Sequence, residues 1–170
     1  MTPRSTRPPR AATVLQRHWL LKSEPTVYSI DDLERDGSTG WEGVRNYQAR
    51  NTMRDEMKEG DLVLFYHSNA TPPAVVGLAR VTGQVTPDPS QFDPKSEGYD
   101  PKSRKDDPRW LMCHIAFLEK FATPVPLERL KGDAALAEMP LLQKGQRLSV
   151  QPVSAAHFAI VLEHAGRRPS

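Results

Sequence analysis

The stretch DLVLFYHSNATPPAVVGLARVTGQV, residues 61–85, holds two apolar runs rich in β-branched residues on either side of a proline-containing turn. Runs of this length and composition, bounded by Asn, Pro and Gly, read as neighbouring strands over 61–68 and 74–85. Gly77, inside the second run, marks a bulge or the close approach of another backbone. A sheet therefore lies at the centre of the fold.

Upstream, HWLLK (18–22) reads as a first strand ending at Ser23-Glu24-Pro25, because a residue before proline is driven to extended geometry. SIDDLERDG (29–37) is a short helix: Ser29 caps it, Asp32 follows three residues on, and Gly37 stops it. A second helix is expected from Arg45 to about Glu59, with Ala49, Met53 and Met57 on one side and Tyr47, Arg50, Asn51 and Arg54 on another. Downstream, RWLMCHIAFLEKF (109–121) is apolar on both alternations, as in a strand covered on both faces. PLERL and DAALAEM are helical turns and QRLSVQPV is a strand; Ser154 caps a closing helix that turns Phe158, Val161 and Leu162 inward. The count is five or six strands with four or five short helices, an α+β fold with a curled, barrel-like sheet.

Between these elements lies TPDPSQFDPKSEGYDPKSRKDDPR (86–109), longer than loops usually are unless they serve a purpose or are disordered. It carries Asp-Pro-Lys-Ser twice, at 93–96 and 100–103, which turn chemistry explains without a repeat architecture.

The chain has 170 residues, 38% apolar and 26% charged, which suits one globular domain. Sixteen prolines argue against a helical bundle. Cys113 is the single cysteine, so no internal disulfide forms and a reducing compartment is expected: cytoplasm in a bacterium, nucleus in a eukaryote, not secretion. No apolar stretch has the length of a membrane span, and no membrane partner is expected. Arg4, Arg7, Arg10 and Arg17 occupy an acid-free segment, residues 1–17, read as a flexible tail in preference to an organelle transit peptide. Residues 167–170 are read as a short C-terminal tail. Setting those four arginines apart from the 23 basic residues leaves 19 against 21 acidic ones. Such a body lacks a broad basic surface, so nucleic acid would have to be met at a local site.

No metal site is expected: His18, His67, His114, His157 and His164 never fall four residues apart, and the lone cysteine has no partner at finger spacing. Nucleophile-elbow, P-loop and dinucleotide-binding motifs are absent, and no cofactor is expected. Cys113 and Trp19 are assigned to the core, and Trp110 stays ambiguous. Glu24, a charge at a strand end, is either a solvated loop residue or part of a site. Trp41, between Gly40 and Gly43, is read as lining a pocket. The surrounding GWEGVRNYQARN (40–51) gathers a flat ring, amides, a hydroxyl and guanidinium groups, which suits a flat hydrogen-bonding ligand such as a nucleobase. Stacking on an aromatic ring contributes roughly 1–3 kcal/mol per base. An ordinary exposed helix is the competing reading, and periodicity does not separate the two.

WLLKSEP, GWEGVRNYQARN, GDLVLFYHSN, FDPKS, PRW and RLSVQPV, in this order, resemble the motifs of the EVE domain family. The likeness runs from about His18 to Leu162, and the domain is taken as residues 18–166. It implies a PUA-like fold, a five- or six-stranded β-barrel flanked by short helices and related to the YTH domains that read methylated adenine in RNA. It also implies a reader of a modified base, with modified cytosine in DNA the usual proposal and RNA a further one. Carried onto this sequence, Ser23 and Glu24 lie at the pocket mouth and Trp41 walls the base. Asn46 and Tyr47 fall beside it, Tyr66, His67 and Ser68 face the same cavity, and Arg147, Ser149 and Gln151 complete it. Arg45, Arg50 and Arg54 are either contacts to flanking phosphates or a solvated face paired with Asp55, Glu56 and Glu59. The expected activity is capture without catalysis by a monomer, with nucleic acid carrying a modified base as partner. Two rivals remain: an ASCH-like enzyme acting on RNA or modified nucleosides through Lys22, Glu24 and His67, and a module that binds a peptide or small molecule.

Overall fold

A computed structural model describes residues 16–167. In chain order its elements are β1 (His18–Ser23), α1 (Ile30–Asp36), β2 (Ser38–Gly40), α2 (Tyr47–Asp55), β3 (Leu62–His67), β4 (Ala74–Val81), β5 (Thr86–Pro87), β6 (Leu111–Met112), β7 (His114–Pro126), α3 (Leu127–Lys131), β8 (Val150–Val153) and α4 (Ala155–His164). Six strands form one mixed sheet in the order β2-β7-β4-β3-β1-β8, and β5 pairs with β6 in a separate ribbon. The sheet is a curled half-barrel whose edges are β2 and β8.

β1 and β3 run parallel, whereas every other pair is antiparallel. A parallel pair needs a crossover connection. Here that connection carries α1, β2 and α2, so the GWEG turn is held against the sheet by the topology itself.

Strand alternation assigns the two cores. Trp19, Leu21, Val63 and Phe65 point to the face covered by α1, α2 and Trp41. Leu20, Leu64 and Tyr66 point to the other, covered by α3 and α4. Trp19 and Phe65 are fully enclosed, and the Trp19 indole N–H donates to the buried Asp61 at 2.8 Å. Cys113 is buried, and burial pushes its thiol up to about 12, which suits an inert core residue.

Local expectations meet the structure at several points. Ser29 and Asp32 form a reciprocal capping box on α1, and Ser154 caps α4. The β4–β7 register shifts between Val75 and Gly77, and a Cβ at Gly77 would meet the Glu119 carbonyl and lie 2.8 Å from Ile30 Cδ1. The position is therefore both a bulge and a close approach.

Other boundaries differ. α2 is shorter than 45–59, because Asn46 caps it and Arg45 is drawn aside by the segment that follows β5. The strand expected at 109–121 breaks at Cys113, continues as β7 to Pro126 and leaves Leu118 exposed. Double coverage belongs instead to β1, β3 and β4. Residues ahead of His18 also contact the domain: Gln16 donates to the Gly60 carbonyl, and the Arg17 backbone N–H donates to Asp61. The rest of the expected N-terminal tail, and residues 168–170, lie outside the described residues.

The long polar segment 86–109 folds tightly around two fully buried polar residues, Asp88 and Gln91. Gln91 donates to the carbonyls of Asp88 and Trp110 and accepts from the Trp110 N–H and the Ser103 hydroxyl. Each Asp-Pro-Lys-Ser closes a turn, with Asp93 accepting from the Lys95 N–H and Asp100 from the Lys102 N–H, both at 2.9 Å. Among the described residues no helix is long and apolar enough to cross a membrane.

Candidate nucleic-acid interface

The GWEG turn sits where the ends of β1 and β2 meet the residues leading into β8. The Trp41 N–H donates to the Cys113 carbonyl at 2.7 Å, and the Gly43 N–H donates to the Asp88 carboxylate at 2.8 Å. Gly43 has φ 86°, a left-handed conformation that glycine takes without steric cost. Asp88 also accepts from Ser90 and pairs with Arg45 at 3.0 Å. Burial alone would raise its pKa, but these hydrogen bonds hold the carboxyl below its ordinary value.

A cavity of about 580 Å³ opens at this turn. Ser23, Glu24, Trp41 and Ser149, all expected in the site, line it. Trp41 is a core residue with a relative exposure of 7%, and Phe65 and Tyr28 pack edge-on against its ring at 5.5 and 6.4 Å. Trp41 thus belongs to the core on one side and to an open cavity on the other, and its indole N–H makes no hydrogen bond among the described residues. The Ser23 hydroxyl donates to the Tyr28 carbonyl at 2.7 Å, keeping its lone pairs as acceptors.

Sequence reasoning missed several walls. Val27, Val44 and Met112 supply apolar surface, and Glu42 supplies a second carboxylate beside Glu24. Lys22 also lines the cavity, and partial burial lowers its pKa. Glu42 was legible as a member of the GWEG turn; Val27 and Met112 carried no local signal.

The remaining expected site residues fall elsewhere. The Asn46 side chain accepts from the Ala49 N–H at 3.0 Å as the α2 cap. Tyr66 is buried on the opposite face of the sheet, and burial raises its phenol pKa. Gln151 lies across from Leu20 on that same opposite face, donating to the Leu148 carbonyl while its buried amide oxygen finds no partner among the described residues. His67 Nε2 accepts the Ile30 N–H at 3.1 Å, and burial lowers its pKa. Ser68 is tied through its backbone N–H to the Ser23 carbonyl, and Arg147 is exposed outside the cavity lining.

The planar residues of 40–51 divide between two tasks. Tyr47 stacks on Trp110 at 4.8 Å, Arg50 lies 4.7 Å from the Tyr47 ring, and Arg45 lies 5.5 Å from the Trp110 ring. This set joins α2 to the 86–109 segment, while Trp41 alone serves the cavity. Arg45 has every polar end engaged, with Asp88, Ser90 and the carbonyls of Gly98 and Val44. It is a frame residue rather than a free phosphate contact. Arg54 pairs with its neighbour Asp55 in the open.

The EVE domain model matches residues 17–164. This chain belongs to the EVE domain family. Chicken thymocyte nuclear protein 1 is 39% identical to it over 170 residues, covering 89% of this chain and 70% of the relative. The structure of human THYN1 protein in complex with DNA containing 5-methylcytosine superposes at a TM-score of 0.83 with 37% identity, covering 91% of this chain and all of that one. An ASCH protein of Zymomonas mobilis has a TM-score of 0.50 at 7% identity over 87% of this chain and 98% of its own, a likeness of fold alone.

Proposed function

We propose that the cavity beside Trp41 captures a single modified nucleobase, 5-methylcytosine in DNA first of all, and releases it unchanged. The observation that carries this reading is the cavity's lining: Trp41, two glutamates and the apolar Val27, Val44 and Met112 around about 580 Å³, a volume suited to a small flat ligand. The human THYN1 complex with methylcytosine-containing DNA supports DNA as the partner.

The chemistry selects as follows. A base swung out of its stack forfeits a few kcal/mol, and stacking on Trp41 returns roughly 1–3 kcal/mol of it. Cytosine presents an exocyclic amino donor where thymine presents a carbonyl acceptor. Glu24 and Glu42 accept from the amino group and repel the carbonyl, so they discriminate cytosine from thymine. A methyl group on the ring meets Val27, Val44 and Met112; burying it adds about 0.8 kcal/mol, roughly a fourfold preference over plain cytosine.

The test is a binding panel of oligonucleotides in DNA and RNA carrying cytosine, 5-methylcytosine or thymine at one position. Wild type is expected to prefer 5-methylcytosine, and Glu42→Gln to lose roughly tenfold in cytosine-over-thymine discrimination. Equal affinity for all three bases, or release of a base or a strand cut on incubation, would sink the reading. Trp41→Phe is the aromatic variant to use, since Trp41→Ala removes a core ring at about 3–5 kcal/mol.

A further inference from the structure

Base capture leaves the nucleic-acid backbone unaccounted for, and the cavity does not attract it: its lining holds two glutamates against one lysine. One residue cluster outside the cavity has the opposite balance. Beyond the exposed face of α2, Tyr47, Arg50, Lys102, Arg104, Asp107 and Arg109 line a separate cleft of about 290 Å³, four cations against one carboxylate.

The cations are unequal. Arg104 is paired with Asp106 and Arg109 with Asp100. Arg50, by contrast, donates only to neutral oxygens, the Asn51 side chain and the Arg109 carbonyl. Lys102 is exposed and makes no ion pair among the described residues. Asp100 is held below its ordinary pKa, first by the Trp110 indole N–H and then by the Lys102 N–H, and so stays ionised as the partner of Arg109. The cleft is also fixed in place: Arg45 ties the buried Asp88 to Gly98, while Trp110 stacks on Tyr47.

We infer that this cleft holds backbone phosphates of the same DNA strand next to the captured base, with Arg50 and Lys102 as the principal contacts; the inference rests on the base-reading function for its partner. Val44 lines the base cavity and Tyr47 the cleft, and three residues of chain span at most about 11 Å. At 3.4 Å of rise per nucleotide along a strand, that is within roughly three nucleotides. A planar guanidinium and a mobile ammonium together suit phosphate oxygens, and such contacts position a strand without reading its sequence.

The experiment measures affinity of the full chain for duplex oligonucleotides with cytosine or 5-methylcytosine across a salt series. Compared are wild type, Arg50→Gln, Lys102→Gln, the double variant, and Arg35→Gln, a charge loss on the exposed surface of α1. Each lost phosphate contact lowers the slope of log affinity on log salt by about 0.9. Over a fourfold rise in salt, wild type then loses about 12-fold more affinity than the double variant. Both oligonucleotides are expected to weaken alike, leaving their ratio unchanged. Lys102 makes no side-chain hydrogen bond among the described residues, so Lys102→Gln reports on charge even where Arg50→Gln disturbs the fold. An unchanged slope in Lys102→Gln and in the double variant, or an equal fall in Arg35→Gln, overturns the cleft. If wild type shows no base preference while the slopes still fall as stated, the phosphate cleft stands and base reading fails.

Discussion

The two hollows served by residues 40–51 differ in almost every physical respect. The cavity at Trp41 is lined by that core residue and by apolar side chains and is net acidic; the cleft at Tyr47 and Arg50 is cationic. An acidic, apolar-lined cavity rejects phosphate and accepts a base edge rich in donors, while a cationic cleft does the reverse. One short stretch thus serves an acidic hollow and a cationic one, a contrast that a formal charge of +2 for the whole chain hides. Asp88 joins them, because it holds the GWEG turn through Gly43 and the 86–109 segment through Arg45 and Ser90.

Breaking that joint has the largest expected effect. Asp88→Ala leaves the Arg45 guanidinium and the Gly43 N–H without their partner and is expected to cost about 3 kcal/mol in urea unfolding, with loss of both base preference and salt slope. If either hollow keeps its function in a folded Asp88→Ala protein, the two are independent.

A smaller change sharpens the contrast. Val44, a core residue, lines the cavity and not the cleft, so in a folded Val44→Ala protein the preference for 5-methylcytosine over cytosine should fall about two- to fourfold in the oligonucleotide panel, with the salt slope untouched. A changed slope would mean that the hollows are not separate.

The pH dependence is weaker still. His67, at the shoulder between β3 and α1, has its pKa lowered by burial and accepts the Ile30 N–H in its neutral form. The unfolded chain takes up this proton near pH 6.5, whereas the folded chain resists it, so stability is complete above that pH and falls as pH drops toward the lowered folded value. His18 has its pKa lowered by burial and acts in the same direction. Unfolding measured from pH 8 to pH 5 should show this loss, reduced in His67→Gln; an unchanged profile in that variant removes His67 as a contributor. Smallest of all, Arg54→Ala breaks only an exposed pair with Asp55 and should leave the unfolding midpoint and both oligonucleotide affinities as they are.

Much of the fold was legible because its signals are short-range. Ser29 with Asp32 and Ser154 announce their helices by hydrogen bonds that span three residues, and the apolar runs at 61–85 announce strands by composition. The site was less legible. Asn46, expected beside the base, fits the same capping chemistry as Ser29 and is spent on α2. Tyr66 shares one motif with His67 and Ser68, yet alternation puts it on the face opposite Phe65, away from Trp41. The period of two contained that answer once the side of Trp41 was known.

The chain on its own determined the family, the α+β class, the caps and the bulge, since each depends on side chains a few residues apart or on motifs in a fixed order. Only the folded molecule decided which residues share the cavity and that residues 86–109 build a second, cationic hollow. Those outcomes depend on strand register and on the buried Asp88, whose partners Gly43 and Arg45 come from the crossover between β1 and β3. Contacts made across such distances in the chain leave no local mark in a single sequence.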